Sequence, residues 1–551
     1  MNNKHTKWVA LPLAALLLAG CAAKPAESTE SLLAEKPITL TFFNIDGISD
    51  PWADPVAQAI TEATGVSLKT EYPARGSADA IDRMIAGGDY PDLIFAKEDA
   101  NKLVDAGVLI DLAPLIDQYG PNIKKLYGDD YEKLRWSADD PSIYQLCSNA
   151  VNEEIYTTSG TVQLQWAVLK ENDYKIPHTI AEYETMLKDY MAAHPTIDGE
   201  KTIGFTICVT DWHWYITLAN PAAYIANGAP DNGQWLIAED GTTTYVNANA
   251  AQEEYFRWMN RMYHEGVLDP EFATQTHDDF LRKIASGCVL GLMDADWDYS
   301  DSKKDLLLAG KTERTYAGLP VTMDESIVCS SLQNQGLSPG WGIGITTACK
   351  DPVRAVQFLD YLCSDEGQVL VNWGIEGVNY TLDENGRRVR SSEEAWRAEA
   401  DVNYPAETGV GFHVYPFPRY GTGVLDESGS PYQPQSREST IADYNAEEQA
   451  ACRAWGVELL CDIFPQPDSF TEPTHSAGWA LPISTELSAQ KEALDTVAWK
   501  GLVDCIICGE TEFDANWEKL QADLDAAGRT DAEAAMTQAV QEQMAFWKSL
   551  S

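Results

Sequence analysis

Two short runs set ring systems beside carboxylates. Trp212-His213-Trp214-Tyr215 follows Asp211, and Asp294-Ala295-Asp296-Trp297-Asp298 follows an apolar segment. Flat rings cover the apolar C–H faces of a pyranose, and carboxylates take its rim hydroxyls through charge-assisted hydrogen bonds. The chain carries 17 Trp and 24 Tyr, so such material is abundant. Adjacent rings in 212–215 cannot all face one core. At least one of Trp212 and Trp214 is therefore expected to face solvent or ligand, the alternative being packing at a helix start. Trp297 is the foremost candidate, with Asp296 beside it. Trp341 stands just before an expected strand. Trp52 follows the first expected strand and either meets ligand or staples the helix after it. Glu98 and Asp99 follow the third expected strand, as hydroxyl acceptors or as a solvated helix start. Arg75 and His413 complete the candidate set.

Patterns that would signal catalysis or a metal lose force in context. Gly336-Leu337-Ser338-Pro339-Gly340 fits GxSxG, but a nucleophile elbow needs a strand before the serine and a helix after it, and here Pro339 and a strand follow. Asp294-x-Asp296-x-Asp298 mimics a calcium loop, yet Tyr299 replaces the required Gly and Asp305 the bidentate Glu. His264-Glu265 does not extend to HExxH, and Gly342-Ile343-Gly344 lacks a third glycine. No catalytic set, cofactor or metal is expected.

The N-terminus reads as a targeting segment. Lys4 and Lys7 precede an apolar run, Trp8 to Gly20, too short to span a bilayer. Leu18-Ala19-Gly20-Cys21 resembles the lipobox of bacterial lipoproteins, in which the cysteine becomes a diacylglycerylated first residue. A signal peptide over 1–20 and a lipidated flexible tether over 21–36 are expected. Without Lys4 and Lys7 the chain carries 37 basic and 85 acidic residues, a net charge of −48. That excludes ordinary nucleic-acid binding and disfavours polyanionic ligands. The ten cysteines beyond Cys21 sit in apolar strings or at helical spacing, as Cys505 and Cys508 do. They are expected to be core thiols.

Length alone, 551 residues, implies more than one domain. Strands are expected over 38–43, 66–72 and 91–95, alternating with helices over 55–64 and 79–86. A second series follows, with strand character over 162–170, 203–209 and 288–293 and helices over 180–192 and 250–264. A strand over 342–347 and a helix over 351–362 come next. Strand–helix alternation at this pitch predicts an α/β fold with largely parallel sheets. Residues 381–440 are rich in Pro, Gly and charge and read as surface loops, and 511–550 as helix.

Several segments together resemble the extracellular solute-binding proteins that include maltose-binding protein, in their large lipoprotein branch. They are Gly88-Asp89-Tyr90-Pro91-Asp92-Leu93-Ile94, Ala106-Gly107-Val108-Leu109-Ile110-Asp111-Leu112, Glu265-Gly266-Val267-Leu268-Asp269-Pro270-Glu271 and Trp373-Gly374-Ile375-Glu376-Gly377-Val378-Asn379-Tyr380. The resemblance implies a two-lobed, periplasmic-binding-protein-like (type II) fold, with hinge-crossing strands and a ligand cleft between lobes. On that template the first lobe is 37–150 plus 342–378 and the second 151–341 plus 379–551. Crossings are expected near Ile143–Val151, Leu337–Gly342 and Gly377–Leu382. It implies a monomer held to the membrane by its lipid, passing an oligosaccharide to the permease subunits of an ABC importer, and not an enzyme. Asp294–Asp298 resembles a loop whose Trp stacks on sugar in relatives. The stretch 194–200 lacks the oxygen ligands of the calcium loop found in alginate-binding relatives. Another solute, peptide or polyol, a surface glycan-active enzyme, and presentation to a sensor kinase remain alternatives.

Overall fold

The computed structural model describes residues 36–47, 50–73 and 79–550. The expected signal peptide, Cys21, the tether up to residue 35 and Arg75 lie outside them. Three strands open the first lobe. β1 (Ile38–Asn44) lies between β2 (Val66–Glu71) and β3 (Leu93–Phe95), parallel to both. The helix Pro55–Thr64 connects β1 to β2. Asp54 caps it by accepting from the Ala57 N–H, Pro55 presets its first turn, and Gly65 ends it at φ 66°.

The chain leaves this lobe after β4 (Leu146–Cys147) and builds a second sheet. β5 (Thr161–Gln165), β6 (Ile203–Phe205), β7 (Val289–Asp294) and β8 (Tyr316–Leu319) lie in the order β8-β5-β7-β6, with β7 parallel to β6 and antiparallel to β5. It then returns as β9 (Gly342–Ile345), antiparallel between β3 and β4, so the first sheet reads β2-β1-β3-β9-β4. The return is a backbone-to-backbone fit. A Cβ on Gly342 would stand 2.2 Å from the Leu146 carbonyl oxygen, and one on Gly340 2.5 Å from that of Ala480. Two hydrophobic cores result. Phe42, Leu93, Phe95, Ile343 and Phe358 belong to one, and Trp166, Tyr183, Phe205, Tyr255 and Leu502 to the other. This is the expected two-lobed α/β fold.

The third passage lies later than the expected Gly377–Leu382, so the assignment of 379 onward to the second lobe is corrected. Tyr404, Val410, Phe417, Tyr420 and Tyr432 all join the first-lobe core. Tyr420 stacks on Tyr432 at 4.4 Å, and Gln368 accepts from the Tyr420 N–H while donating to Pro418 O. The chain joins the second lobe by Glu447, which binds Lys170 at 2.6 Å and accepts from Tyr174 at 2.7 Å. The polar composition of 381–440 hid these anchoring rings. Helices Ala446–Trp455 and Thr485–Ile507 extend the second lobe. The final helix, Arg529–Leu550, sets Met536 and Val540 in the second core and Trp547 in the first, where Lys133 lies 5.2 Å above its ring.

Strand character over 162–170 stops at Gln165, and Trp166–Glu171 is helical. An apolar run of that length fits either element, and the fully buried Trp166 settles the matter through packing. The ten described cysteines are free thiols, eight of them buried. Among the described residues no helix is long and apolar enough to cross a membrane.

Glu184 joins two second-lobe helices. It pairs with Arg261 and Lys188, each at 2.6 Å, and accepts from the Trp258 indole at 3.0 Å. Burial alone would raise its pKa, but the Arg261 and Lys188 hydrogen bonds outweigh that and pull it to about 2. A depressed carboxylate pKa gives stability that is full above its ordinary 4.5 and is lost as pH falls toward about 2. Glu184→Gln should therefore lower the urea midpoint at pH 6, and the difference from wild type should shrink between pH 4.5 and 2.

Candidate functional site

Ligands of open α/β sheets sit beyond the carboxyl ends of parallel strands. In the first lobe β1 ends toward Asp46, and β3 runs into Lys97, Glu98 and Asp99. In the second lobe β6 leads toward Asp211–Tyr215, and β7 into Asp294–Asp298. The site is thus built from four strand ends, two on each lobe.

On the second-lobe wall Trp212 is 51% and Trp297 56% exposed, although both are large apolar side chains. Their rings are nearly parallel, 9° apart in plane and 6.2 Å apart in centroid. Trp212 stacks on His213 at 3.9 Å, His213 on His277 at 3.7 Å, and His277 on Phe280 at 5.9 Å. A ladder of five rings therefore runs from the surface to the core. Asp298, nearly buried, faces Nε2 of His213 at 3.3 Å and Nε2 of His277 at 3.0 Å.

Further along the same wall Lys491 pairs with Asp495 at 2.6 Å and lies 5.2 Å above the Tyr215 ring. Tyr215 and Tyr245 both donate to Asp495, at 2.9 and 2.8 Å. Burial would lower the Lys491 pKa, but Asp495 and then Tyr215 outweigh it and raise it, so the ammonium is kept. Glu98, exposed on the first lobe, is close enough for its charge to help raise both Lys491 and Tyr215. That brings a first-lobe carboxylate within electrostatic range of a second-lobe cation, without a direct ion pair between them among the described residues. The lobes also touch where the Thr485 N–H donates to Asp105 at 3.3 Å.

Trp341 lies at the hinge, half-buried, between Lys97 at 5.0 Å and Trp479 at 4.6 Å. Its carbonyl accepts from the Ser148 N–H at 2.9 Å, while its buried Nε1–H has no partner among the described residues. Lys97 pairs with Asp46 and holds a left-handed φ of 52°. Such a conformation in a side-chain-bearing residue costs about 1–3 kcal/mol and clusters at functional sites.

Of the candidates from sequence, Trp212, Trp297, Asp296, Trp341 and Glu98 lie at these strand ends or the hinge. Others do not face the cleft. Trp214 is buried and stacks on Trp499 at 5.9 Å. Trp52 belongs to the first core and donates to Thr61 Oγ1 at 2.9 Å, stapling its helix. His413 is buried against Asp54 at 2.8 Å and Asp50 at 3.4 Å, fastening 404–420 to the first lobe. Asp99 pairs with Lys102 one turn on, and burial raises its pKa. Arg75 is outside the described residues. Sequence reasoning missed Lys491, Trp479, Asp46 and Lys97. Lys491 sits mid-helix without a motif, and only the fold brings it to Tyr215.

The GxSxG serine, Ser338, is buried and accepts from the Asn149 side chain at 3.2 Å, without an elbow. Cys505 is a core thiol whose pKa burial pushes up to about 12.

Residues 56–373, more than half of the chain, match the family model described as bacterial extracellular solute-binding protein. The chain belongs to this family. LipO of Bacillus subtilis is 24% identical to this solute-binding protein over 399 residues, 68% of this chain and 74% of the relative. The fructooligosaccharide ABC transporter substrate-binding protein FusA of Streptococcus pneumoniae is 22% identical over 65% of this chain and 68% of its own length. Among solved structures, alginate-binding protein AlgQ2 superposes with a TM-score of 0.66 at 20% identity, covering 92% of this chain and 98% of AlgQ2. At that identity the likeness establishes the shared two-lobed fold.

The buried and exposed tryptophans of 212–214 should separate in denaturation experiments. Trp214→Ala should cost about 3–5 kcal/mol in urea unfolding. Trp212→Ala should cost less than about 1 kcal/mol.

Proposed function

We propose that this solute-binding protein captures a neutral oligosaccharide between its lobes and hands it to the permease subunits of an ABC importer. The observation that carries the reading is the exposed, nearly parallel Trp212–Trp297 pair at the second-lobe strand ends. Such rings are suited to the C–H faces of sugar units. Glu98, Asp46, Asp296 and the ammonium of Lys491 supply charged partners for hydroxyls, and the unpartnered Trp341 Nε1–H supplies a donor at the hinge. Contacts made from both walls favour the approach of the lobes, which turns binding into a shape that a permease can read. FusA and the maltooligosaccharide-binding lipoprotein of Streptococcus pneumoniae support a glycan as the solute. The acidity of the chain favours a neutral glycan over a polyanion.

In this reading Cys21 carries a diacylglyceryl group, and a monomer works at the outer face of the cell membrane. Two acyl chains suffice for stable attachment, and tethering raises the local concentration of receptor near its importer. The protein captures without cutting. A hydrolase would need two carboxylates about 5–10 Å apart across the scissile bond.

Thermal shift against a panel of neutral oligosaccharides tests this. A true ligand at a hundred times its Kd adds about 2.7 kcal/mol of stability. Trp297→Ala should weaken the best ligand about tenfold, with unfolding in its absence unchanged, because the ring is mostly exposed. A panel without a hit, or stabilisation only by peptides or polyols, would redirect the assignment. Release of shorter sugars from the hit would point to an enzyme.

A further inference from the structure

The second ring of the ladder is held at its edges as well as its faces. His213 lies between two carboxylates, with Nδ1 against Asp211 Oδ1 and Nε2 3.3 Å from Asp298 Oδ1. Its backbone N–H also donates to Asp211 Oδ1, at 3.1 Å. A neutral imidazole has one N–H, so it would turn a lone pair toward one of these carboxylates. The imidazolium offers an N–H to each, and charge-assisted contacts of that kind are the stronger ones. The side chains of His213 and Asp298 are 7% and 5% exposed, so salt and water screen them little.

The other groups around this ring leave the charge to His213. His277, packed face to face with it at 3.7 Å, donates to the other oxygen of Asp298 at 3.0 Å, and the single N–H of a neutral ring satisfies that contact. Asp294 ends β7, and Asp296 and Asp298 follow it. Burial, then the charges of Asp298 and Asp296, raise the pKa of Asp294. Burial would raise that of Asp298 too, but His213 and His277 outweigh it and hold it low. Among the described residues, the ion pairs of Asp211 and Asp298 are with histidines alone. Cys208, within 4.8 Å of the Asp211–His213 pair, is a thiol that burial pushes up to about 11. Burial opposes the charge on His213 itself, but Asp298 and Asp211 outweigh it and raise its pKa above the ordinary 6.5.

The charge acts on Trp212. That ring, 51% exposed, lies on the face of His213 at 3.9 Å, within range of a cation–π attraction. We propose that His213 is a positioning residue for solute capture: as an imidazolium clamped by Asp211 and Asp298 it seats Trp212 at the cleft wall, and capture is tighter in mildly acidic than in alkaline surroundings. The effect on binding rests on the reading of Trp212 as a ligand ring, whereas the coupling of His213 to Trp212 does not. A raised histidine pKa gives an effect that is full below the ordinary 6.5 and is lost as pH rises through the folded value.

Fluorescence tests the coupling without a ligand, because a protonated imidazole quenches an indole stacked on it. The emission of the full protein minus that of Trp212→Phe isolates Trp212. This difference should rise in one transition with its midpoint above the ordinary histidine value, and His213→Gln should abolish it. Asp211→Asn should bring the midpoint down by about one pH unit, which lost packing alone does not do. For the tightest oligosaccharide of the thermal-shift panel, the wild-type Kd should rise about threefold across the transition, and the His213→Gln Kd should not change with pH. Absence of a transition, a transition unchanged in His213→Gln, or a wild-type Kd that is flat across it would overturn the proposal. If the panel yields no hit, the oligosaccharide reading fails, and the fluorescence transition alone decides whether His213 seats Trp212. Circular dichroism checks that each variant is folded. If His213→Gln is not, Asp211→Asn takes its place, and an unmoved midpoint there overturns the proposal.

Discussion

The two lobes keep their relation because a strand built after the second lobe is laid back into the first. β9 enters between β3 and β4, and at Gly342 its backbone lies where any side chain would collide with the Leu146 carbonyl. The hinge is therefore a property of main chain. It sets the Trp341 carbonyl against Ser148 and the Trp341 ring between Lys97 and Trp479. From that point the strand ends of both sheets converge, and the cleft is a consequence of the sheet order.

The walls divide the chemistry unequally. The second lobe brings exposed rings, and the Lys491–Asp495–Tyr215 group brings a cation held in place by its own hydrogen bonds. The first lobe brings the exposed Glu98 and the strained Lys97–Asp46 pair. Ordered, pre-positioned groups on one side and small charged groups on the other suit a ligand that is flat on one face and polar at its edge.

Much of this was legible in sequence for definite reasons. Strand–helix alternation in the first hundred residues gave the α/β reading, and segments such as 88–94 and 373–380 gave the family. Trp212 and Trp297 were singled out because they follow strands and lie beside aspartates, and both are exposed. Burial was not legible. Trp52, Trp214 and His413 have similar neighbours in the sequence, yet each is enclosed by residues far along the chain, as Trp214 is by Trp499. The 381–440 stretch misled in the opposite direction. Its polar composition is that of loops, but a tyrosine every dozen residues or so, at 404, 420 and 432, is enough to pin such a segment to a core. Lys491 illustrates a further limit, since helical periodicity cannot say which distant phenol a lysine meets.

The helix Arg529–Leu550 has its middle seated in one hydrophobic core and its tip in the other. Two bodies joined by flexible crossings alone would swing about them in any direction. A stiff rod gripped at both places acts instead as a stay, like the strut on a lid. Motion that keeps Trp547 in its socket is cheap, and motion that withdraws it exposes apolar surface to water. Any separation of the lobes that withdraws Trp547 from its socket therefore carries that cost, whatever happens at the strand ends.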